Sequence, residues 1–489
     1  MKRSLLIAAV AATLAAPLSA SAAASDEMAE VKRMIEQMKA DYEKKIEALE
    51  QRLKAAEQKA ETAADTAETA KQASAAATAE RKPFGKDALT SGTAFNPKLS
   101  IILDGNYYHD DEDGEGTELL SEAFRAGAGG HGHEEGGDGH EHGGADNGFN
   151  FREAEIWFGA TVDPYFDASA TLAVDSDGDT ELEEAFFHTR FLPAGFRVKA
   201  GKFFSDIGYI NRQHPHEWDF TDQNLAHLNL FGFNLADTGV QVTWLPELPI
   251  YTLFGFEAFQ GDQDRFGALV DDEDEREELN LDDADDGPRL FTGFVKVAPD
   301  LGYNHSLQLG ASVVHSTESQ LIGEINEEEA GFDGDETLWG LDLVYKYDSP
   351  RSYGAGDIVV QSEYLYNKKN LELKGYEADP SLEGGDRDFT TDGWYLQGWY
   401  GIAPRWQLGL RYDVLGLTNK AEGVGDNEDF DESDRWTLGL TYRPSEYSLL
   451  RLNAATADIV TNEDNDKTSF DYVYLQYQLM LGSHGAHKF

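Results

Sequence analysis

The chain has 489 residues, with 91 Asp and Glu against 40 Lys and Arg and a formal net charge of −51. Such an excess of negative charge repels a polyanion and excludes nucleic acid as a partner. Cysteine is absent, which excludes a disulfide framework and thiolate chemistry.

Residues 1–22 read as a secretory signal peptide. Lys2 and Arg3 give the charged start, Leu5 to Leu14 the apolar core, and Ala20-Ser21-Ala22 an A-x-A cleavage site, with Ala22-Ala23-Ala24 as a rival. No lipobox cysteine follows, so an unacylated mature end is expected. The mature part has no apolar run long enough for a transmembrane helix.

Residues 26–82 read as a helix. The apolar stripe is Val31, Ile35, Met38, Tyr42, Ile46, Leu49, Leu53, Ala56, Ala60, Ala63, Ala67 and Ala70. Its spacing alternates four and three, with one stutter at Tyr42 and Ile46. That predicts a self-associating coiled coil, whose number of strands the spacing does not fix. A solvated single helix is the alternative, because the second half has only alanine at the seam. Residues 83–97 are a linker.

From Leu99 the period changes to two, and residues 98–489 read as a β-barrel. The clearest stretch is Phe151 to Phe204. Ala154, Ile156, Phe158, Ala160 and Val162 share one face, and Glu153, Glu155, Trp157 and Thr161 the other. Phe196, Val198 and Ala200 oppose Arg197 and Lys199 in the same way. Charges at mid-strand mark the second face as wet. An outer-membrane barrel turns the apolar face to lipid and leaves a polar lumen. The 27 Phe, 21 Tyr and 8 Trp suit aromatic girdles.

The fold class expected is therefore an all-β transmembrane barrel of about sixteen antiparallel strands, with the α-helical coiled-coil segment before it. Short joins at 163–166, 192–195, 246–249, 299–304, 348–356, 403–404 and 444–446 alternate with connections that are mostly long and acidic. The latter are 109–149, 176–181, 204–237, 261–289, 316–335, 368–390, 416–434 and 457–468. That is the signature of an up-and-down barrel with periplasmic turns and outer loops. An even strand count puts both ends in the periplasm and hangs the stalk toward peptidoglycan. The close, YVYLQYQLMLGSHGAHKF, ends on Phe489 after an amphipathic strand. It resembles the signal read by the barrel insertion machinery.

The segment LEEAFFHTRFLPAGFRVKAGKFFSDIGY resembles phosphate-selective-type porins. It carries an acidic-Ala-aromatic strand, a tight turn and a basic strand ending in Gly-Lys-Phe. The N-terminal heptads are similar to that group and to sugar-specific porins with periplasmic coiled coils. The resemblance covers roughly 95–260. It implies a sixteen-stranded homotrimer in outer-membrane lipid, with basic residues along the channel. The sequence departs from that family in its acidity. The group IGYINRQHPHEWDF is similar to porin-like envelope proteins discussed with TonB-dependent receptors. No plug-like domain precedes the barrel, however.

Three groups of residues could carry chemistry. Alternation turns Glu153, Glu155, Glu184, His188, Arg190, Arg197 and Lys199 into the lumen. There they set a transverse field for polar solutes or act only as wall salt bridges. The 204–237 connection is long yet rich in Phe220, Leu225, Leu228, Leu230, Phe231 and Phe233, so it is expected to fold into the barrel as a constriction. Its His214, His216, Asp219, Asp222 and His227 are expected to line the passage, with metal ligation as the alternative. In the first outer loop, His131, His133, His140 and His142 sit among carboxylates and glycines. They suit zinc or another divalent transition metal, or form a solvated acidic surface.

No cofactor is required by this reading. No G-x-S-x-G, H-E-x-x-H or P-loop is present, so no enzyme is expected. The function expected is passive diffusion of small hydrophilic solutes or ions through an outer-membrane channel. The alternatives are a non-conducting envelope tether, a surface metal-capture protein, and a TonB-dependent-receptor-like uptake protein.

Overall fold

A computed structural model describes residues 98–127, 144–283, 286–326 and 328–482. The expected signal, coiled coil and linker, the histidines between 131 and 142, and Phe489 lie outside the described residues.

Among the described residues, strands follow one another in chain order. β1 (Lys98–Asp110), β2 (Gly148–Thr161), β3 (Phe166–Val174), β4 (Thr180–Thr189), β5 (Phe196–Phe204), β6 (Ala236–Trp244), β7 (Tyr251–Phe259) and β8 (Leu290–Ala298) form the first half. The second half has β9 (His305–Ile325), β10 (Glu328–Tyr347), β11 (Ile358–Gly375), β12 (Asp386–Ala403) and β13 (Trp406–Gly423). It ends with the two-residue β14 (Glu428–Asp429), β15 (Ser433–Ser445), β16 (Ser448–Val460) and β17 (Lys467–Gly482). β13 pairs directly with β15, so β14 only extends the rim of β13. β17 closes on β1, from Gly482 opposite Ser100 to Tyr472 opposite Asp110. The wall is thus a closed antiparallel barrel of sixteen strands, as the alternation predicts.

Burial runs the opposite way to that of a water-soluble protein. Leu396, Leu410, Leu438, Leu452 and Leu475 stand exposed on the outside. Their sequence neighbours Gln397, Arg411, Thr437, Arg451 and Gln476 are buried on the inside. Lipid solvates the first set, and hydrogen bonds within the lumen satisfy most of the second.

The tight joins fold as their residues dictate. In the β2–β3 turn Asp163 Oδ1 accepts the N–H groups of Tyr165 and Phe166 at 2.7 and 3.0 Å. In the β4–β5 turn Gly195 has φ +80°, and a Cβ there would lie 2.1 Å from the Leu245 carbonyl oxygen.

Several outer connections differ from the expectation. The 316–335 stretch is not a loop. β9 and β10 continue through it and meet in a hairpin between Ile325 and Glu328. β11, β12 and β13 likewise extend into the stretches expected as loops at 368–390 and 416–434. The 175–179 connection between β3 and β4 is short. The physical reason is a reversal of polarity beyond the lipid. Leu321, Ile325, Phe332, Leu371, Leu373 and Phe389 turn inward there and pack as one cluster. Glu324, Glu328, Glu329 and Glu372 face water on the outside. In sequence those acids read as loop.

Candidate functional site

The 205–235 connection between β5 and β6 turns into the barrel. Its helix, α1 (Leu225–Phe231), starts where Asn224 Oδ1 accepts the His227 N–H at 3.0 Å and stops at Gly232, whose φ is +73°. All seven helix residues are buried. Ala226, Leu230 and Phe231, with Ile207 and Leu235, pack on Phe259, Leu290, Val314, Leu338 and Leu365 of β7 to β11. Leu225 and Leu228 pack on Leu415, Ala457, Ile459, Phe470 and Tyr472 of β13, β16 and β17. The helix therefore bridges opposite walls. The inner wall at this level is apolar, which uniform alternation does not anticipate.

The rest of the loop is irregular backbone in a dry place, so its polar groups need partners. The wall supplies them by charge type. Carboxylates take the N–H groups: Glu257 Oε1 accepts from Asp206 at 3.0 Å, and Glu363 accepts from Tyr209 and Ile210 at 3.1 and 2.9 Å. Guanidiniums take the carbonyls. Arg152 donates to Thr221 O at 2.6 Å, Arg411 to Asp222 O at 2.8 Å, Arg435 to Gln223 O at 2.7 Å and Arg451 to Trp218 O at 2.9 Å. Four lumen arginines thus hold the loop.

Asp222 is the strongest anchor. Its two oxygens lie 2.6 Å from Arg411 Nη2 and 2.8 Å from Arg435 Nη1, and Tyr472 donates to it at 2.6 Å. Burial alone would raise this carboxyl, yet the guanidiniums pull it down to about 2. Asp219 accepts from Gln397 Nε2 at 3.4 Å, and burial raises its carboxyl.

His214 and His216 meet the acidic wall. His216 Nδ1 is 2.6 Å from Glu155 Oε2. His214 Nδ1 lies 3.2 Å from Glu183 Oε2 and 3.8 Å from Glu155 Oε2, while its Nε2 is 3.2 Å from Glu184 Oε2. The two rings stack with centroids 5.8 Å apart. Burial would lower the His214 pKa, but Glu155 and Glu183 outweigh it and hold the ring well above its ordinary value.

Two of these lumen groups escape the alternation for one reason. The β3–β4 register jumps from Thr171 opposite Glu184 to Leu172 opposite Leu182, so Glu183 is the extra residue of a bulge. Both Glu183 and Glu184 then face inward. A second bulge in β2, between the partners of Asp104 and Gly105, brings Arg152 inside to bind Asp104. Arg411, Arg435 and Arg451 needed no bulge. Each sits mid-strand beside an outward leucine or tryptophan, and that signal was readable.

The remaining candidates separate. Lys199 Nζ lies 3.7 Å from Asp206 and 4.3 Å from the Phe203 ring centre. His188 and Arg190 both approach Asp167, each at 3.6 Å, and Arg197 is exposed. Lys199 also stands near Glu184, while His188, Arg190 and Arg197 do not join Glu153, Glu155 and Glu184 in one ladder. His227 does not line a passage. It is buried between Phe231 and Tyr395, its Nδ1 is 3.2 Å from Asn224 Oδ1, and burial pushes its pKa down to about 3. The helix that carries it is buried on every side, which explains the difference.

The family profile described as phosphate-selective porin O and P matches residues 135–481. An uncharacterized protein of Aquifex aeolicus (strain VF5) is 34% identical over 404 residues, covering 82% of this chain and 81% of its own. Among solved structures, the outer membrane channel DcaP of Acinetobacter baumannii is similar at 12% identity. Its TM-score is 0.45, with 80% of this chain and 99% of that chain covered. The anion-selective porin from Comamonas acidovorans is similar at 11% identity and TM-score 0.42, covering 79% of this chain and 99% of its own.

Proposed function

This chain belongs to the phosphate-selective porin O and P family of outer-membrane porins, and from that premise we propose a passive channel whose narrowest passage is set by the inward 205–235 loop. The observation that carries this is the loop's anchoring to walls on opposite sides, through Glu257 on β7 and Arg435 on β15. The solutes are small and hydrophilic, because the helix fills the apolar part of the lumen and charged groups of β2, β4 and the loop flank what is left. The acidic face of β2 and β4 stands beside the passage. Arg152, Arg411 and Arg435 are paired with Asp104, Asp222 and Asp413, so they contribute little net positive charge to an anion path.

The assembly is a homotrimer, with residues 26–82 as a periplasmic coiled-coil stalk that reaches toward peptidoglycan. His131, His133, His140 and His142 form an accessory zinc-capturing loop at the cell face. A second reading has one observation in its favour: α1 packs apolar side chains across the barrel, as a non-conducting envelope tether would allow. Reconstitution of the full chain in planar bilayers separates the two. Discrete unitary current steps support the channel, and a folded barrel without steps supports the tether. Reversal potentials in a salt gradient then give the selectivity.

A further inference from the structure

At one point the lumen gathers four carboxylates around the imidazoles of His214 and His216. Glu153, Glu155 and Glu183 are 3%, 1% and 6% exposed, and Glu184 adjoins them. The lysine and arginine beside them also serve other carboxylates: Arg152 is bound to Asp104, and Lys199 is 3.7 Å from Asp206. Buried carboxylates gathered in this way are costly unless a cation joins them.

The geometry points to a divalent transition-metal site formed by Glu155, Glu183 and His214, which would join the β2 and β4 wall to the inward loop. The three ligand atoms all lie within 4.8 Å of one another. Ligands about 2.0–2.2 Å from a shared tetrahedral ion sit roughly 3.3 Å apart. His214 Nδ1 is already 3.2 and 3.8 Å from the two carboxylate oxygens. That nitrogen belongs to a residue only 8% exposed and faces both carboxylates, and a metal would take the place of the ring proton that Glu183 holds there. Glu184 Oε2 holds the opposite ring nitrogen at 3.2 Å, the carboxylate–imidazole arrangement that orients a metal-bound histidine. His216 Nδ1 lies 2.6 Å from the same Glu155 Oε2 and fixes that carboxylate. One imidazole with two carboxylates suits zinc or manganese and is poorly matched to calcium, which takes oxygen ligands alone. The site does not depend on the channel reading, since a tether could hold the same ion.

The test uses the full chain refolded in detergent, with His131, His133, His140 and His142 changed to Ala so that the outer loop contributes nothing. After chelator treatment it is titrated with Zn²⁺ by calorimetry and with Mn²⁺ by electron paramagnetic resonance. One equivalent of metal should bind, and the manganese signal should carry coupling to a single imidazole nitrogen. Glu183→Gln and His214→Ala in the same background should each weaken binding at least about tenfold. If His214→Ala does not assemble, the nitrogen coupling and Glu183→Gln decide. Absence of stoichiometric binding by the folded background protein, a signal without nitrogen coupling, or unchanged affinity in Glu183→Gln would each overturn the site.

Discussion

Arg435 Nη1 lies 2.8 Å from Asp222 Oδ2, so a guanidinium on β15 fixes the middle of the inward loop. Arg411 on β13 holds the other oxygen at 2.6 Å. Asp222→Ala leaves both guanidiniums sharing one carboxylate, Asp413, at 2.9 and 3.0 Å from their Nε atoms. Breaking a buried pair of this kind costs about 3 kcal/mol. The variant should unfold at lower denaturant, and its currents in bilayers should be noisier than those of the parent.

The helix is seated by a missing side chain. A Cβ at Gly393 on β12 would lie 2.6 Å from the Ala226 Cβ. Gly393→Val should therefore push α1 off the wall and expose the loop to protease, while the barrel still resists heat in detergent. Adding Ala226→Gly should restore part of the protection. Equal protease resistance of parent and Gly393→Val would show that the contact yields freely.

Acid should loosen the loop through His227. Its folded pKa, about 3, is below the ordinary value near 6.5, so the neutral ring favours docking. Stability is complete above about pH 6.5 and falls by about 1.4 kcal/mol per unit as the pH drops toward 3, because the undocked ring takes the proton more readily. The carboxylate facing the ring, Glu363, is 3.9 Å away and already accepts from Tyr209, Ile210 and Tyr395. Asp222 enters only below about pH 4, as pH approaches its own value near 2. Protease protection measured from pH 8 to pH 5 should fall in the parent and stay flatter in His227→Gln.

The lipid face is testable by one charge. Leu438 on β15 is 52% exposed and pairs with Leu410 on β13, which is 50% exposed. Leu438→Arg should cost about 2–4 kcal/mol of barrel stability if it sits near the bilayer midplane. Heat modifiability in detergent gels would report the loss. A fully stable Leu438→Arg barrel would place this face elsewhere than in lipid.

Much of this architecture was legible in the residues. Alternation located the wall because lipid outside and water inside impose opposite demands on neighbouring positions. The apolar content of 204–237 pointed inward for the same reason. Glu183 and Arg152 were hidden because a bulge shifts parity by one, and no turn residue announces it. The extensions of β9 to β13 were hidden because acids on a strand above the membrane read as loop. The burial of His227 was hidden because the sequence marks 204–237 as an inward connection but not the short helix within it or the walls that cover that helix.

Single-channel conductance of the full chain against a form lacking residues 209–233 tests the central claim most directly. That deletion removes α1 and the Asp222 anchor while leaving β5 and β6 intact. The expected result is discrete steps from the full chain and clearly larger steps from the deletion, with both proteins folded by heat modifiability. Equal unit conductance in the two folded proteins, or no steps from either, would contradict it.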